Sequence, residues 1–252
     1  MSKLSFLFLT KGNHNCITAW DLFFKNIPKN KYSIYCHPKT KPTQKLLYKN
    51  VIDNIVNTQW GDISLIKATL SLLYTSFQDN DNKYFILVSD SCIPIIDFNF
   101  LKDIITRENK TWITWKLNTN KLDRYHQLHK SFKKTLPSNN FYSQHQWMIL
   151  RRDHVYEILN TNLTQVFKNV HAADEHYFVT ILYLKNLLNY NECINHKTTY
   201  CDWSNTLSMH PSEFSDINTK LLDIAQKNKC FFLRKVRVNP TLCKYLFEIY
   251  SK

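Results

Sequence analysis

Hydrophobic and polar residues follow one another along the chain in blocks that predict a β-α-β arrangement. Residues 4–10 are mostly apolar, as expected for a strand buried on both faces of a parallel sheet. An amphipathic segment follows at 17–25, and residues 32–37 predict a second strand that ends at Pro38. Ligands of such sheets bind beyond the carboxyl ends of the strands, so this opening also predicts where a site would lie.

The later blocks continue the pattern. Ile66, Leu70, Leu73 and Phe77 repeat at helical spacing, and Asp62 is a candidate N-cap for that helix. Further strands are predicted at 51–56, 84–89, 112–115, 146–150, 196–201 and 231–233, and further helices from 151, from 174, at 220–226 and at 240–250. Residues 116–137 are basic and predict a surface loop or a mobile flap over a substrate. The whole, residues 1–252, predicts a single α/β domain with a mostly parallel central sheet flanked by helices.

The composition excludes several classes of site. The 252 residues include only two glycines, Gly12 and Gly61, so neither a Walker loop nor a dinucleotide-binding loop can form. The seven cysteines are odd in number and form no C-x-x-C pair, which favours free buried thiols over a zinc ribbon or a disulfide framework.

The charge of the chain predicts a polyanionic partner. Thirty-three basic and 20 acidic residues give a formal net charge of +13, which suits nucleic acid, an acidic membrane or a phosphorylated small molecule. The first apolar run is too short for a signal peptide, and no segment is long enough to span a membrane. We therefore expect a cytoplasmic protein without a transmembrane segment.

Two adjacent acids, Asp174 and Glu175, open an apolar helix in the prediction. Acids in a first helical turn gain from the helix dipole, so capping alone would explain them. The alternative is catalytic: a carboxylate can act as a general base, and Glu175 is our candidate for that role.

Other candidates follow predicted strands. His37 ends the second strand, and Asp90 follows the strand at 84–89, where it is flanked by serines. A single carboxylate is a poor site for Mg²⁺ or Mn²⁺, which prefer several oxygen ligands. Trp147 and Trp203 are either core residues or walls of a ligand pocket.

Nine short motifs follow one another along the chain: FLFLT at 6–10, YSIYCH at 32–37, WG at 60–61, SDSCIP at 89–94, SQHQW at 143–147, DEHYF at 174–178, DWS at 202–204, HP at 210–211 and RK at 234–235. In their kind and order they make the chain similar to the core-2/I-branching glycosyltransferase family, including its plant Branch-domain and peptide xylosyltransferase relatives.

The resemblance implies a GT-A-like fold and a metal-independent, inverting transfer of a sugar, GlcNAc-like or xylose-like, from a UDP-sugar to a glycan or protein hydroxyl. It implies no cofactor and no divalent metal, because basic side chains neutralise the diphosphate. The base falls on Glu175. The donor would contact Lys235, Arg234, His37, Asp90, Trp203 and Asp202, and the acceptor would contact Asp174, Trp147 and Arg124.

Two other functions remain open at this point. The charge and the many aromatic residues are compatible with a nucleic-acid-binding protein, although the chain contains no recognisable nucleic-acid-binding module and its charges are dispersed. A sugar-binding relative without catalytic activity would carry the same motifs. We expect a UDP-sugar and a glycan or glycoprotein as partners, and no nucleic acid.

Overall fold

The structure, a computed structural model, describes residues 2–117, 122–204, 208, 210–215 and 219–237. Its strands are β1 (Lys3–Thr10), β2 (Tyr32–Pro38), β3 (Asn82–Ser89), β4 (Ile93–Pro94), β5 (Thr111–Trp112), β6 (Lys116–Leu117), β7 (Tyr142–Ser143), β8 (Ile149–Arg151), β9 (Cys193–Ile194), β10 (Thr199–Cys201) and β11 (Phe232–Arg234). Its helices are α1 (Ile17–Phe23), α2 (Lys45–Tyr48), α3 (Ser64–Phe77), α4 (Phe98–Glu108), α5 (Leu122–His126), α6 (Arg152–Leu159), α7 (Tyr177–Leu184) and α8 (Thr219–Lys227). Short 3₁₀ turns occupy Lys29–Lys31, Lys130–Lys134, Ser138–Asn140 and Ala173–Glu175.

The central sheet of the described residues has six strands in the order β2-β1-β3-β8-β5-β9. β1 is parallel to both β2 and β3, and β5 is parallel to β9, whereas β8 runs antiparallel to its two neighbours. The chain crosses from β1 to β2 through α1, and then back past β1 from β2 to β3 through α3. Because such crossovers are right-handed and these two run in opposite directions, α1 and α3 lie on opposite faces of the sheet. The predicted α/β class, with a mostly parallel sheet flanked by helices, is confirmed.

The register of the first three strands brings their carboxyl ends to one edge. Leu9 lies opposite His37 of β2 and opposite Ser89 of β3. The loops that leave these strands therefore start side by side, and this edge positions the site.

A second sheet, β10-β11-β4, lies beside that edge. Its register pairs Cys201 with Arg234 and Leu233 with Ile93. One further hydrogen bond, from Val236 N to Ser91 O at 3.0 Å, joins the chain after β11 to the loop after β3. Residues distant in sequence thus meet at the end of β3.

An aromatic cluster between β1 and α1 connects α1 to the loop that follows β3. Trp20 is fully buried, and its ring contacts Phe8 with ring centroids 4.8 Å apart. Its indole Nε1 donates to Cys92 O at 2.9 Å. Nε2 of His14 donates to the same oxygen, also at 2.9 Å. Burial of His14 lowers its pKa to about 4, so the ring is neutral at neutral pH. The core thereby ties α1 to the loop that follows Asp90.

Some predicted elements differ from those of the structure. Residues 51–56 form no strand: Val51 makes an isolated bridge to Cys36, and the Val56 amide bonds to the ring of His37. The basic segment 116–137 contains β6, α5 and a 3₁₀ turn in its described part, so it is not a simple loop. The helix predicted at 240–250 lies outside the described residues.

Candidate active site

A cleft of about 930 Å³ opens at the carboxyl ends of β1, β2 and β3. This volume is within the range of small-molecule sites in proteins. The lining draws on the whole length of the described chain and includes Thr10, Lys11, Lys39, Trp60, Asp90, Trp115, Gln144, His145, Trp147, Asp174, Glu175, Cys201, Trp203, His210, Pro211, Arg234 and Lys235.

The two predicted acids lie in the 3₁₀ turn Ala173–Glu175, just before α7. Backbone contacts hold the turn: Ala172 N donates to Gly61 O at 2.8 Å, and Gln144 N donates to Glu175 O at 2.7 Å. The side-chain oxygen of Gln144 accepts the Val179 amide at 2.6 Å, so one residue binds both the turn and the helix. The expectation that the acids lie in the first turn of the α-helix is wrong, because the helix begins only at Tyr177.

Glu175 faces the cleft and is held from behind by Arg124 of α5. Nη1 of Arg124 donates to Oε2 of Glu175 and lies 3.3 Å from Nε2 of His176. Nδ1 of His176 is 2.8 Å from the carbonyl oxygen of Tyr142; since a carbonyl only accepts, Nδ1 carries the proton and Nε2 accepts from Arg124. The Glu175 side chain is 42% exposed and that of Arg124 only 16%. The carboxylate is therefore accessible, while its partner is anchored.

Asp174 lines the same cleft but is buried. Its Oδ1 has no hydrogen-bond partner among the described residues. Burial, and next the neighbouring Glu175, raise the pKa of Asp174 to about 6. The two neighbouring acids of the cleft therefore differ, since one is accessible and the other is buried.

The cations of the cleft are held in different ways. The Arg234 guanidinium lies 5.0 Å from the centre of the Trp147 ring, and its Nε–H has no hydrogen-bond partner among the described residues. Nζ of Lys235 lies 2.7 Å from Oε1 of Glu213, whose other oxygen contacts Arg237. These cations, chiefly Lys235, hold the pKa of Glu213 below its usual value. Sequence reasoning missed Glu213, because nothing in the spacing connects it with Lys235.

Asp90 lines the cleft at the end of β3. Its Oδ2 accepts the Lys11 amide at 2.9 Å, and its carbonyl oxygen accepts the Asn15 amide at 2.7 Å. The carboxylate therefore joins the loop after β1 to the loop after β3. Lys39, which follows the predicted second strand and was a candidate with His37, and Lys11, which sequence reasoning did not select, add two cations to this side of the cleft.

One cluster of the described residues has the composition of a metal site, but it lies outside the cleft. It consists of Asp153, His154 and Glu192. Nη2 of Arg151 lies 2.5 Å from both Asp153 Oδ2 and Glu192 Oε2, so a guanidinium already neutralises these acids. The donor set does not suit a cation.

Three of the predicted ligand-binding residues do not line the cleft. His37 is fully buried, and its Nε2 accepts the Val56 amide at 2.9 Å. Asp202 accepts the Ser204 amide at 2.9 Å and forms a local turn. Arg124 forms an ion pair with Glu175. Seven predicted residues do come together in the cleft: Asp90, Trp147, Asp174, Glu175, Trp203, Arg234 and Lys235.

Two tryptophans stand at the cleft with much of their surface open to solvent. Trp203 is 53% exposed and Trp60 is 60% exposed. The Trp60 ring meets the rings of His171 and His210 edge-on, at centroid distances of 5.4 and 5.5 Å. For Trp203 the core alternative is thus wrong, whereas Trp147 is buried.

Comparison with known proteins identifies relatives. The family model of the core-2/I-branching enzyme matches residues 4–225. Glycosyltransferase BC10 of Oryza sativa subsp. japonica is 29% identical over 160 residues, which cover 61% of this chain and 39% of that protein. The chain thus matches about two fifths of the length of this curated relative.

Solved structures with a similar outline are more distant. The WbbM bifunctional glycosyltransferase gives a TM-score of 0.46 at 11% identity, covering 100% of this chain and 50% of that one. The galactosyltransferase LgtC, solved with donor and acceptor sugar analogues, gives 0.43 at 9% identity, covering 98% and 95%. Among the described residues, no helix is long and apolar enough to cross a membrane.

Proposed function

The chain belongs to the core-2/I-branching enzyme family, and from this premise we propose that it is a metal-independent, inverting glycosyltransferase. Its donor is a UDP-sugar, GlcNAc-like or xylose-like, and its acceptor is a hydroxyl group of a glycan or a protein.

The observation that carries the proposal is the composition of one cleft. Glu175 lines it together with Arg234 and Lys235. A transfer of this kind needs a carboxylate for the acceptor proton and fixed positive charge for the departing diphosphate. Both requirements are met by residues that the sequence separates by about a quarter of its length.

The proposed step is a single displacement. The acceptor oxygen attacks the anomeric carbon, its proton passes to the Glu175 carboxylate, and the bond from that carbon to the UDP oxygen breaks. The electron pair leaves with UDP, whose negative charge increases in the transition state. Arg234 and Lys235 stabilise that charge, and Arg234 is oriented for it by its contact with Trp147.

In this proposal two of the predicted residues, Arg124 and Trp147, receive new roles, and Asp174 keeps its role. Arg124 orients the base through the Glu175 ion pair, in place of direct acceptor binding. Trp147 contacts Arg234, so we assign it to the donor side in place of the acceptor side. Asp174 keeps its proposed contact with a sugar hydroxyl, because the residue lines the cleft and its carboxyl group has an oxygen without a hydrogen-bond partner among the described residues.

The metal-independent character is supported by the hydrogen bonding of the Asp90 carboxylate. A divalent ion would need several oxygen ligands, whereas the Asp90 carboxylate already accepts the Lys11 amide. Turnover is therefore expected to persist in EDTA, and inhibition that manganese reverses would contradict this part of the proposal.

The test is substitution of the base. Glu175→Gln is expected to lower transfer by about 10²-fold or more, because general base catalysis is lost, while the affinity for UDP measured by calorimetry changes little. Glu157→Gln is the matched control, since Glu157 pairs with Lys185 on the helical layer away from the cleft. Full turnover by Glu175→Gln would remove Glu175 from the mechanism, and absence of UDP binding by the wild-type protein would contradict the donor.

A further inference from the structure

Glu213 bridges two cations at the edge of the cleft. Its Oε1 lies 2.7 Å from Nζ of Lys235, and its Oε2 contacts Nε of Arg237. The side chains of Glu213 and Lys235 are 30% and 26% exposed, so this ion pair lies at the boundary between protein and solvent. Solvent screens such a pair, and a stronger anion is able to replace one of its members.

The backbone fixes the two residues relative to each other. Phe214 N donates to Lys235 O at 2.8 Å, and Arg237 N donates to Phe214 O at 2.9 Å. These bonds pair the segment that carries Glu213 with the chain that follows β11. Pro211, two residues before Glu213, lines the cleft. The contact between Glu213 and Lys235 is thus built into the wall of the site.

The neighbouring cation, Arg234, differs from Lys235 in its contacts with acids. Arg234 contacts the Trp147 ring and pairs with no carboxylate of the described residues. No carboxylate of the described residues therefore competes with a bound anion for the charge of Arg234. The charge of Lys235, by contrast, is shared with a carboxylate inside the protein. Of the two cations proposed to bind the diphosphate, only Lys235 has an internal competitor.

We propose that Glu213 is a counter-anion that competes with the diphosphate of the donor for Lys235, and so weakens nucleotide binding. This inference rests on the proposed function. When a diphosphate contacts Lys235, two anions share one ammonium group and repel each other across a few ångströms. The same repulsion favours release of UDP after transfer. Release of product is the step that limits turnover in many enzymes.

The test measures the sign of the effect of Glu213 on UDP affinity. Glu213→Gln removes the charge and keeps an oxygen that Lys235 can donate to, so the lysine stays oriented. We expect calorimetry to show roughly three- to tenfold tighter binding of UDP, from the loss of like-charge repulsion. In the Lys235→Ala background the same substitution is expected to give a smaller gain, because the competition for the shared cation is absent and only the direct repulsion between the two anions remains.

A matched control separates local from global charge effects. Glu108→Gln also removes one carboxylate from an exposed ion pair, with Arg107 on α4, and is expected to leave UDP affinity unchanged. Equal gains in Glu108→Gln and Glu213→Gln would overturn the inference in favour of a general charge effect. If Glu213→Gln does not fold, Glu213→Asp is the second variant. It shortens the side chain by one methylene and so weakens the contact with Lys235, and UDP binding is expected to become tighter, as in Glu213→Gln.

The outcomes distinguish the inference from the function on which it rests. Wild-type protein that binds UDP, with Glu213→Gln binding equally or more weakly, overturns the inference alone and makes Glu213 a support of Lys235. Absence of UDP binding by the wild-type protein and by every variant overturns the proposed function, and the inference with it.

Discussion

Asp174 and Glu175 are neighbours in one turn, yet their carboxyl groups meet different surroundings. Glu175 is accessible and paired with Arg124, whereas Asp174 is buried with an unpartnered oxygen. The sequence predicts that both acids are special but cannot separate them, because burial depends on where the turn meets the sheet. The pairing of Arg124 with Glu175 is likewise a tertiary contact between residues of two distant helical segments.

Asp174 makes stability depend on pH in a direction opposite to that of a paired acid. Burial raises its pKa from the ordinary 3.8 to about 6. Between these values the folded protein holds a proton that the unfolded chain has released, so stability falls as pH rises through this range. Asp174→Asn removes the free-energy cost of holding a buried, ionised carboxylate above this pH range. We expect it to exceed the wild type in free energy of unfolding by on the order of 2–3 kcal/mol at pH 8.

Urea unfolding across a series of pH values checks this prediction. The advantage of Asp174→Asn should shrink toward pH 4, where the wild-type carboxyl group is protonated in the folded protein. Asp53→Asn, at an exposed position, is the control and should show no such trend. An advantage of Asp174→Asn that does not change with pH would contradict the assigned cause.

At the scale of elements, the sequence predicts best where burial is continuous. β1, β2 and β3 are mostly apolar runs of seven or eight residues, and each was predicted to within two residues at either end. β5 and β9 have two residues each, too few for any periodicity, and their pairing is set by the strands around them. The 3₁₀ turn that carries the acids has no sequence signal of its own, since its position depends on contacts with Gly61 and Gln144.

Gly61 holds that turn in a way that no other residue could. Its φ is +73°, and a Cβ atom added there would lie 2.7 Å from Cε1 of His171. Gly61→Ala is expected to lower the free energy of unfolding by about 1–3 kcal/mol. Transfer should fall as well, because the Gly61 carbonyl accepts the amide of Ala172 next to the acids.

Urea unfolding and transfer assays of two further variants separate the two causes. Adding His171→Ala to Gly61→Ala removes the steric contact but leaves the unfavourable φ, so partial recovery is expected. His171→Ala alone is the reference. Wild-type stability of Gly61→Ala would show that the loop rearranges without cost.

At the scale of the whole molecule, the net charge of +13 is spread over ion pairs and the cleft. Lys3 pairs with Asp79, Lys185 with Glu157, and Arg152 donates to backbone carbonyls. The composition predicts a polyanionic partner, and the structure directs several of its cations to a cleft of small-molecule size. Charge alone did not reveal this distribution, because most of it depends on which lysines and arginines meet an acid.

The dispersed charge predicts weak binding to nucleic acid. A gel shift with single- and double-stranded oligonucleotides at about 150 mM salt is expected to show no complex, since binding by scattered cations falls steeply with salt. A complex that persists at that salt would favour the nucleic-acid alternative. UDP affinity under the same conditions serves as the reference for a folded protein.

The pairing of β11 with β4 has a consequence for synthesis of the protein. Leu233 lies opposite Ile93, although more than half of the chain separates them. A ribosome releases the end of the chain last, so the acid turn and the strands of the central sheet emerge well before Arg234 and Lys235. Until then the edge of β4 stays open and the nascent cleft holds acids without those two cations. The proposed donor site is complete only after nearly the whole described chain has been made.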